Sequence, residues 1–418
     1  MTAPRLDHTA LSPLTRAELQ RYGRQMLVSD LGVERQLRLR RASVLVLGVG
    51  GLGSPVALYL AAMGVGRLGL VDDDRVERSN LHRQVAHDES SIGELKVRSA
   101  QRRIASLNPD AHIEAIATRF TAANALALVA RFDIVVDASD NVATRYLAND
   151  ACAAEGKPLV SGSALGLEGQ VTVFPLHDPA HQGGCYRCLY PKPQPSAAAM
   201  SCAENGVVGV VPGVIGCLQA METVKVITGL GKPLVGVQCF YDAYDGQFRH
   251  LKIGHRRRSD CSACSASARL NRQLRAEELL CAADDLPPEL PAEHRVSVHE
   301  FAALRSESTN LYTLLDTRSR SQFDMVHFPE AVHIPFERLR SAHARDWTSL
   351  RALVEPALPA PVREQPPETR RTLVVCRRGI DSAFVTQWLI DSGVATVANV
   401  DGGYEAYAQQ VDPTFPMY

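Results

Sequence analysis

The stretch Val44-Leu45-Val46-Leu47-Gly48-Val49-Gly50-Gly51-Leu52-Gly53 decides how this chain folds. Four apolar residues in a row read as a buried strand, and the glycine cluster behind them reads as a tight turn into a helix over about 54–63. The pattern Gly48-x-Gly50-x-x-Gly53 puts small residues where backbone N–H groups and a helix N-terminus can approach phosphate oxygens. Leu68-Gly69-Leu70-Val71 is expected as the next strand, ending in Asp72-Asp73-Asp74. Asp72 stands 24 residues after Gly48, where a nucleotide's ribose hydroxyl is commonly accepted. The charge-free run Ala42 to Gly66 has the length of a membrane span, but six glycines and Pro55 interrupt it, so it reads as strand, turn and helix.

Outward from this stretch, helices are expected near 95–107, 121–130 and 144–154, alternating with strands near 112–117, 133–137 and 158–161. That rhythm implies an α/β domain with a parallel sheet covered on both faces. A strand near 169–174, an apolar helix over 212–227 and strands near 234–241 and 247–253 follow. Residues 265–293 end in Leu286-Pro287-Pro288-Glu289-Leu290-Pro291 and read as a linker between a first domain, 1–264, and a second, 294–418. The second domain restarts an α/β pattern with strands at 311–316 and 372–375 and a helix at 382–390, with a Pro-rich surface loop from Pro356 to Glu368. A chain of 418 residues is too long for one ordinary core, in keeping with two domains.

With 45% apolar and 22% charged residues the chain is neither disordered nor a small disulfide scaffold. A net charge of −1 leaves no global basic field for nucleic acid or an anionic membrane, and His255-Arg256-Arg257-Arg258 reads as a solvated turn. Met1 to Gln25 carries charges throughout and no apolar segment, which points to the reducing cytosol and argues against structural disulfides.

Two C-x-x-C pairs, Cys185/Cys188 and Cys261/Cys264, match a tetrahedral zinc site of four thiolates, with His181 and His255 as nearby substitutes and a redox dithiol as the alternative. After the glycine turn come Arg83, Lys96 and Asp140, and Arg24 precedes it. In-line attack of a carboxylate on an α-phosphate needs cations to neutralise the pentavalent centre and the leaving pyrophosphate, and an acid to hold Mg²⁺. These residues suit ATP and magnesium better than a nicotinamide; taken singly, each cation reads equally well as a surface ion pair, and an NAD(P) oxidoreductase is the competing reading. Cys376 follows Leu373-Val374-Val375 and opens Cys376-Arg377-Arg378-Gly379-Ile380-Asp381-Ser382 ahead of a helix. Loop amides, a helix N-terminus and two arginines would favour the thiolate. A cysteine phosphatase would place Arg where this chain has Ser382, so sulfur transfer is favoured. Cys202 reads alone as a buried inert cysteine, and Cys152, Cys217, Cys239 and Cys281 as structural ones.

Over about residues 20–264, Arg24-Gln25, the glycine turn, Asp72, Ser79-Asn80-Leu81-His82-Arg83-Gln84, Lys96 and Asp140-Asn141 with Arg145 resemble the Rossmann-like adenylating domain of the family that activates ubiquitin-like proteins. The resemblance implies ATP bound by Gly51, Asp72, Ser79, Asn80, Leu81, His82, Arg83, Lys96, Asp140 and Asn141, with Arg24 reaching into the partner's site of a homodimer. It also implies structural zinc on the four paired cysteines and an acyl-handling role for Cys202. From about residue 294, Leu314-Leu315-Asp316-Thr317-Arg318, His327-Phe328-Pro329-Glu330-Ala331-Val332-His333-Ile334-Pro335, the Cys376 loop and Val400-Asp401-Gly402-Gly403-Tyr404 resemble a rhodanese domain, whose persulfide Cys376 would carry. Asp316 and Arg318 read as buried structural partners, and similar loops usually carry Asn at the position of Ile380.

The fusion resembles the two-domain family that activates the ubiquitin-related modifier and the small subunit of molybdopterin synthase. It implies adenylation of a sulfur carrier's C-terminal Gly-Gly, then sulfur transfer to give a thiocarboxylate for tRNA wobble-uridine 2-thiolation and molybdenum cofactor biosynthesis. An upstream persulfide donor such as a cysteine desulfurase would load Cys376. A docking scaffold without turnover, and carriers that serve thiamin or cysteine synthesis, are the other readings.

Overall fold

A computed structural model describes residues 12–176, 184–191, 206–253, 257–271, 274, 287–307, 312–354, 371–394 and 396–417. The chain forms two units, Met1–Cys281 and Ala282–Tyr418, so their boundary falls inside the stretch read as linker.

Unit 1 opens with α1 (Arg16–Met26) and α2 (Gly32–Arg41), which the sequence reading did not anticipate. The start of α1 is a capping box: the Thr15 hydroxyl accepts from the Glu18 amide at 3.2 Å and the Glu18 carboxylate accepts from the Thr15 amide at 2.8 Å. The α/β series follows as β1 (Ser43–Leu47), α3 (Gly53–Ala62), β2 (Arg67–Val71), α4 (Lys96–Leu107), β3 (His112–Ile116), α5 (Ala125–Ala130), β4 (Ile134–Asp137), α6 (Val142–Glu155) and β5 (Leu159–Leu165). Then come β6 (Glu168–Phe174), α7 (Tyr186–Leu189), α8 (Val210–Thr228), β7 (Val237–Asp242), β8 (Gln247–Lys252) and α9 (Ala266–Asn271), which puts a short helix where a linker was expected.

The sheet order is β3-β2-β1-β4-β5-β6-β7-β8. Strands β1 to β5 run parallel, and β6, β7 and β8 are added antiparallel. Strand β1 explains why its sequence is apolar throughout: Val44 and Val46 join one core with Val56 and Leu60 of α3, while Leu45 and Leu47 face a second core with Leu147 of α6. The apolar length of α8 has the same origin, because it packs on α3, β5 and β6. The chain winds outward from β1 through β2 to β3 and then returns to β4, so a crevice opens at the carboxyl ends of β1 and β4.

Unit 2 contains β9 (Arg295–Val296), α10 (Val298–Glu307), β10 (Tyr312–Asp316), α11 (Arg320–Met325), β11 (Ala331–His333), α12 (Phe336–His343) and α13 (Trp347–Val354). It closes with β12 (Arg371–Val375), α14 (Ile380–Asp391), β13 (Val397–Val400) and α15 (Gly403–Gln410). Its sheet, β11-β10-β12-β13-β9, is parallel throughout, with Leu314 and Leu373 in one core and Leu315 and Val374 in the other. Cys376 directly follows the central strand β12.

Candidate active sites and a four-cysteine cluster

The crevice at the ends of β1 and β4 is a cleft of about 360 Å³. Its floor is the glycine turn. Gly48 has φ +88°, and a Cβ at Gly53 would stand 1.9 Å from the Gly48 carbonyl oxygen, so the turn closes onto the start of α3 only with glycine there. Asp72 at the end of β2 accepts from the Val49 amide at 2.8 Å and the Asp74 amide at 2.9 Å. Burial pushes the Asp72 carboxyl up, and Lys96 and the two amides oppose that shift.

Of the expected nucleotide residues, Gly51, Asp72, Arg83, Lys96, Asp140 and Asn141 line this cleft. Lys96 starts α4, is buried, and its Nζ lies 2.7 Å from Asp74 Oδ2. Asp140 is exposed at the wall, and its carboxylate has no hydrogen bond or ion pair among the described residues. Asn141 caps α6, accepting from the Thr144 amide at 2.8 Å. Ser79, Asn80, Leu81 and His82 do not line the cleft. Residues Arg78–Asn80 form a short 3-10 turn whose Ser79 carbonyl accepts from Arg83 Nη1 at 3.1 Å, so this segment acts on the cleft by aiming Arg83. Arg24 is exposed near the end of α1 and does not line the cleft of its own chain.

The structure adds residues that sequence reasoning missed. Thr118, Arg119 and Phe120 after β3, and Ser139 after β4, are among the further residues that line the cleft. Beneath it, the fully buried Asp137 accepts from Arg145 Nε at 3.2 Å, Ser161 Oγ at 3.1 Å and Ser139 Oγ at 2.5 Å. Arg145 was already quoted for the resemblance, but its meeting with Asp137 and Ser161 joins separate segments and has no local signature.

Cys185, Cys188, Cys261 and Cys264 converge. The sulfurs of Cys185 and Cys261 are 3.5 Å apart, those of Cys188 and Cys264 3.5 Å, and those of Cys185 and Cys188 3.9 Å. A tetrahedral metal with bonds of about 2.3 Å to each sulfur would set them roughly 3.8 Å apart, so the cluster is compatible with zinc. The crowding drives Cys188 and Cys261 toward thiolate, Cys185 being the largest cause for each. The Arg258 amide donates to Cys188 Sγ at 3.5 Å. His181, His255, Cys202 and Cys281 lie outside the described residues.

In unit 2, Cys376 is buried, and its sulfur accepts from the Gly379 amide at 3.1 Å and the Ser382 hydroxyl at 3.3 Å. The expected depression of its pKa is not found: burial pushes the Cys376 thiol up, Asp381 adds to that, and Ser382 only partly opposes it. Gly379 takes φ +80° to turn the loop into α14. Asp316 and Arg318 are the buried pair that was expected, 2.6 Å apart, with Tyr404 donating to Asp316 at 2.9 Å and the guanidinium 3.7 Å over the Tyr404 ring.

Residues 22–263 match the ThiF family and residues 297–410 the rhodanese-like domain. The adenylyltransferase and sulfurtransferase MOCS3 of Arabidopsis thaliana is 41% identical over 428 residues, covering 100% of this chain and 88% of that protein. The chain belongs to the MOCS3 family. The MOCS3 of Sus scrofa is 44% identical over 415 residues, 97% of this chain and 89% of that one. Among solved structures, the E. coli MccB complex with SeMet MccA aligns with a TM-score of 0.52 at 23% identity over 60% of this chain and 75% of its own, a likeness of fold. As a MOCS3-family protein the chain is an adenylyltransferase and a sulfurtransferase, and ThiF-type adenylation brings ATP to unit 1.

Proposed function

We propose that this enzyme adenylates the C-terminal glycine of a ubiquitin-like sulfur carrier and then converts it to a thiocarboxylate. The observation that carries the reading is the cleft itself: a glycine turn at a sheet crossover, Arg83 and Lys96 as cations, and in Asp140 a carboxylate with no competing partner among the described residues. The carrier's carboxylate oxygen attacks the α-phosphorus, the bond to the β-phosphate oxygen breaks, and pyrophosphate leaves. Arg83 and Lys96 would neutralise the phosphates, while Gly51 and the turn amides orient them. Asp140 would hold Mg²⁺, which supplies charge neutralisation on the triphosphate when bound. Arg24 would serve the cleft of a partner subunit in a homodimer, since it does not line its own.

In the second stage the outer sulfur of a Cys376 persulfide attacks the acyl carbon and AMP leaves. Cys202 would resolve the resulting acyl disulfide, freeing the thiocarboxylate and leaving a disulfide that an external thiol reductant reopens. A persulfide extends the reacting sulfur one bond beyond the buried Cys376 Sγ, which fits a thiol whose own ionisation burial opposes. A cysteine desulfurase would supply that sulfur. The ubiquitin-related modifier and the molybdopterin synthase small subunit are the proposed carriers, serving tRNA thiolation and molybdenum cofactor synthesis in the cytosol. The four cysteines would hold zinc in a structural role.

The test is ATP–pyrophosphate exchange with a panel of small β-grasp proteins ending in Gly-Gly, for wild type and Lys96→Ala. Exchange with one carrier, reduced about 10²- to 10³-fold in the variant, supports the reading and names the partner. Tight NAD(P) binding without exchange for any carrier would overturn it.

A further inference from the structure

His87 lies between the Arg83 segment and α4, and its ring is buried. Nε2 is 3.1 Å from the Val49 carbonyl oxygen and Nδ1 is 2.9 Å from the Ser99 hydroxyl. A carbonyl has no proton to give, so Nε2 carries the hydrogen and Nδ1 accepts from Ser99, which fixes the tautomer. Ser99 is itself buried on α4, three residues beyond Lys96.

Val49 is thereby held on both sides. Its N–H donates to Asp72 at 2.8 Å and its carbonyl accepts from His87. In a trans peptide the carbonyl and the following N–H point to opposite sides. With the Val49 carbonyl turned inward to His87, the Gly50 N–H points the other way; it has no hydrogen-bond partner among the described residues, and Gly50 lines the cleft.

We propose that His87 is a positioning residue for adenylation, its Nε2–H fixing the 49–50 peptide so that the Gly50 N–H is presented to the nucleotide phosphates. The inference rests on the reading of this cleft as the ATP site. In the neutral ring Nδ1 accepts from the Ser99 hydroxyl. Burial lowers the ring's proton affinity and Lys96 adds to that effect, while the bond to the Val49 carbonyl, Glu94 and Asp88 oppose it.

The test compares full-length His87→Leu, His87→Gln and Ser99→Ala with wild type in ATP–pyrophosphate exchange. Leucine removes the donor and should raise the KM for ATP about tenfold with kcat little changed, because the amide holds phosphate in ground and transition states alike. Glutamine can place an amide N–H near the Nε2 position and should restore most of the KM. Ser99→Ala removes the partner of Nδ1, so the ring is held at one nitrogen instead of two, and it should give an intermediate value. A residue that only stabilises the fold would lower the melting temperature and leave the KM of the folded enzyme unchanged, which would overturn the proposal. A glutamine variant no better than leucine would do the same. Should the leucine variant fail to fold, the glutamine and Ser99→Ala pair decides: wild-type KM in Ser99→Ala overturns the proposal. Absence of ATP binding by wild type would overturn the cleft reading itself, whereas an unaltered KM in the variants overturns only the role of His87.

Discussion

Asp137→Ala should melt unit 1 well below wild type while leaving unit 2 untouched. The carboxylate is fully buried, and its partner Arg145 keeps only 10% of its side-chain surface exposed. Alanine strands that guanidinium against a neutral acceptor, the Gly162 carbonyl at 3.3 Å. Breaking a buried pair by removing one partner costs about 3–5 kcal/mol. For a unit of this size each kcal/mol is worth about 2 °C, so the transition should fall by roughly 6–10 °C. The chain's tryptophans, Trp347 and Trp388, both lie in unit 2, so fluorescence follows that unit while far-UV circular dichroism follows both. The expected record is an early dichroism transition with an unmoved fluorescence transition. The double variant Asp137→Ala/Arg145→Met should recover most of the loss, because no charge is left unpaired. A single-variant shift below about 2 °C, or a double variant that falls by the sum of the two singles, would refute this account.

Purified protein should contain one zinc per chain by elemental analysis, and Cys188→Ser should lose it and lower the dichroism transition without moving the fluorescence one. Cys376→Ala should abolish sulfurtransferase activity yet keep ATP–pyrophosphate exchange at the wild-type rate. In the persulfide-free protein, alkylation of Cys376 should be slow at neutral pH and accelerate only above the ordinary thiol range, because burial raises its pKa and only the thiolate reacts; peptide mass mapping against the exposed Cys217 reads this out.

The parallel strands were legible because strands buried on both faces are apolar throughout: Val44 to Leu47 and Leu373 to Val375 could be little else. Helix α1 was missed although its capping box is local, since its polar sequence buries only Tyr22. Strand β8 is exposed along its whole length and was still legible from its neighbours. At the sites, residues tied to a turn or a strand end could be read: the glycine turn, Asp72, Lys96, Asp140, Cys376 and the paired cysteines. That Asp137 meets Arg145 and Ser161, or that His87 meets Ser99 and Val49, could not be read, because each set comes together only when separate segments pack. The raised Cys376 thiol escaped for the same reason: the loop sequence shows two arginines, while the depth that opposes ionisation belongs to the folded unit.

The convergence of Cys188 with Cys261 has a consequence for the unfolded chain. It closes a ring that contains α8, β7 and β8. A bond at that point, supplied by a metal, removes configurational freedom from the denatured ensemble, and for a ring of about 70 residues the chain-entropy relation for cross-links gives about 4 kcal/mol. Much of what such a metal contributes is therefore independent of any contact it makes in the native state. Of the antiparallel margin of the sheet, β7 and β8 lie inside that ring, whereas β6 and the parallel strands that bear the cleft lie outside it.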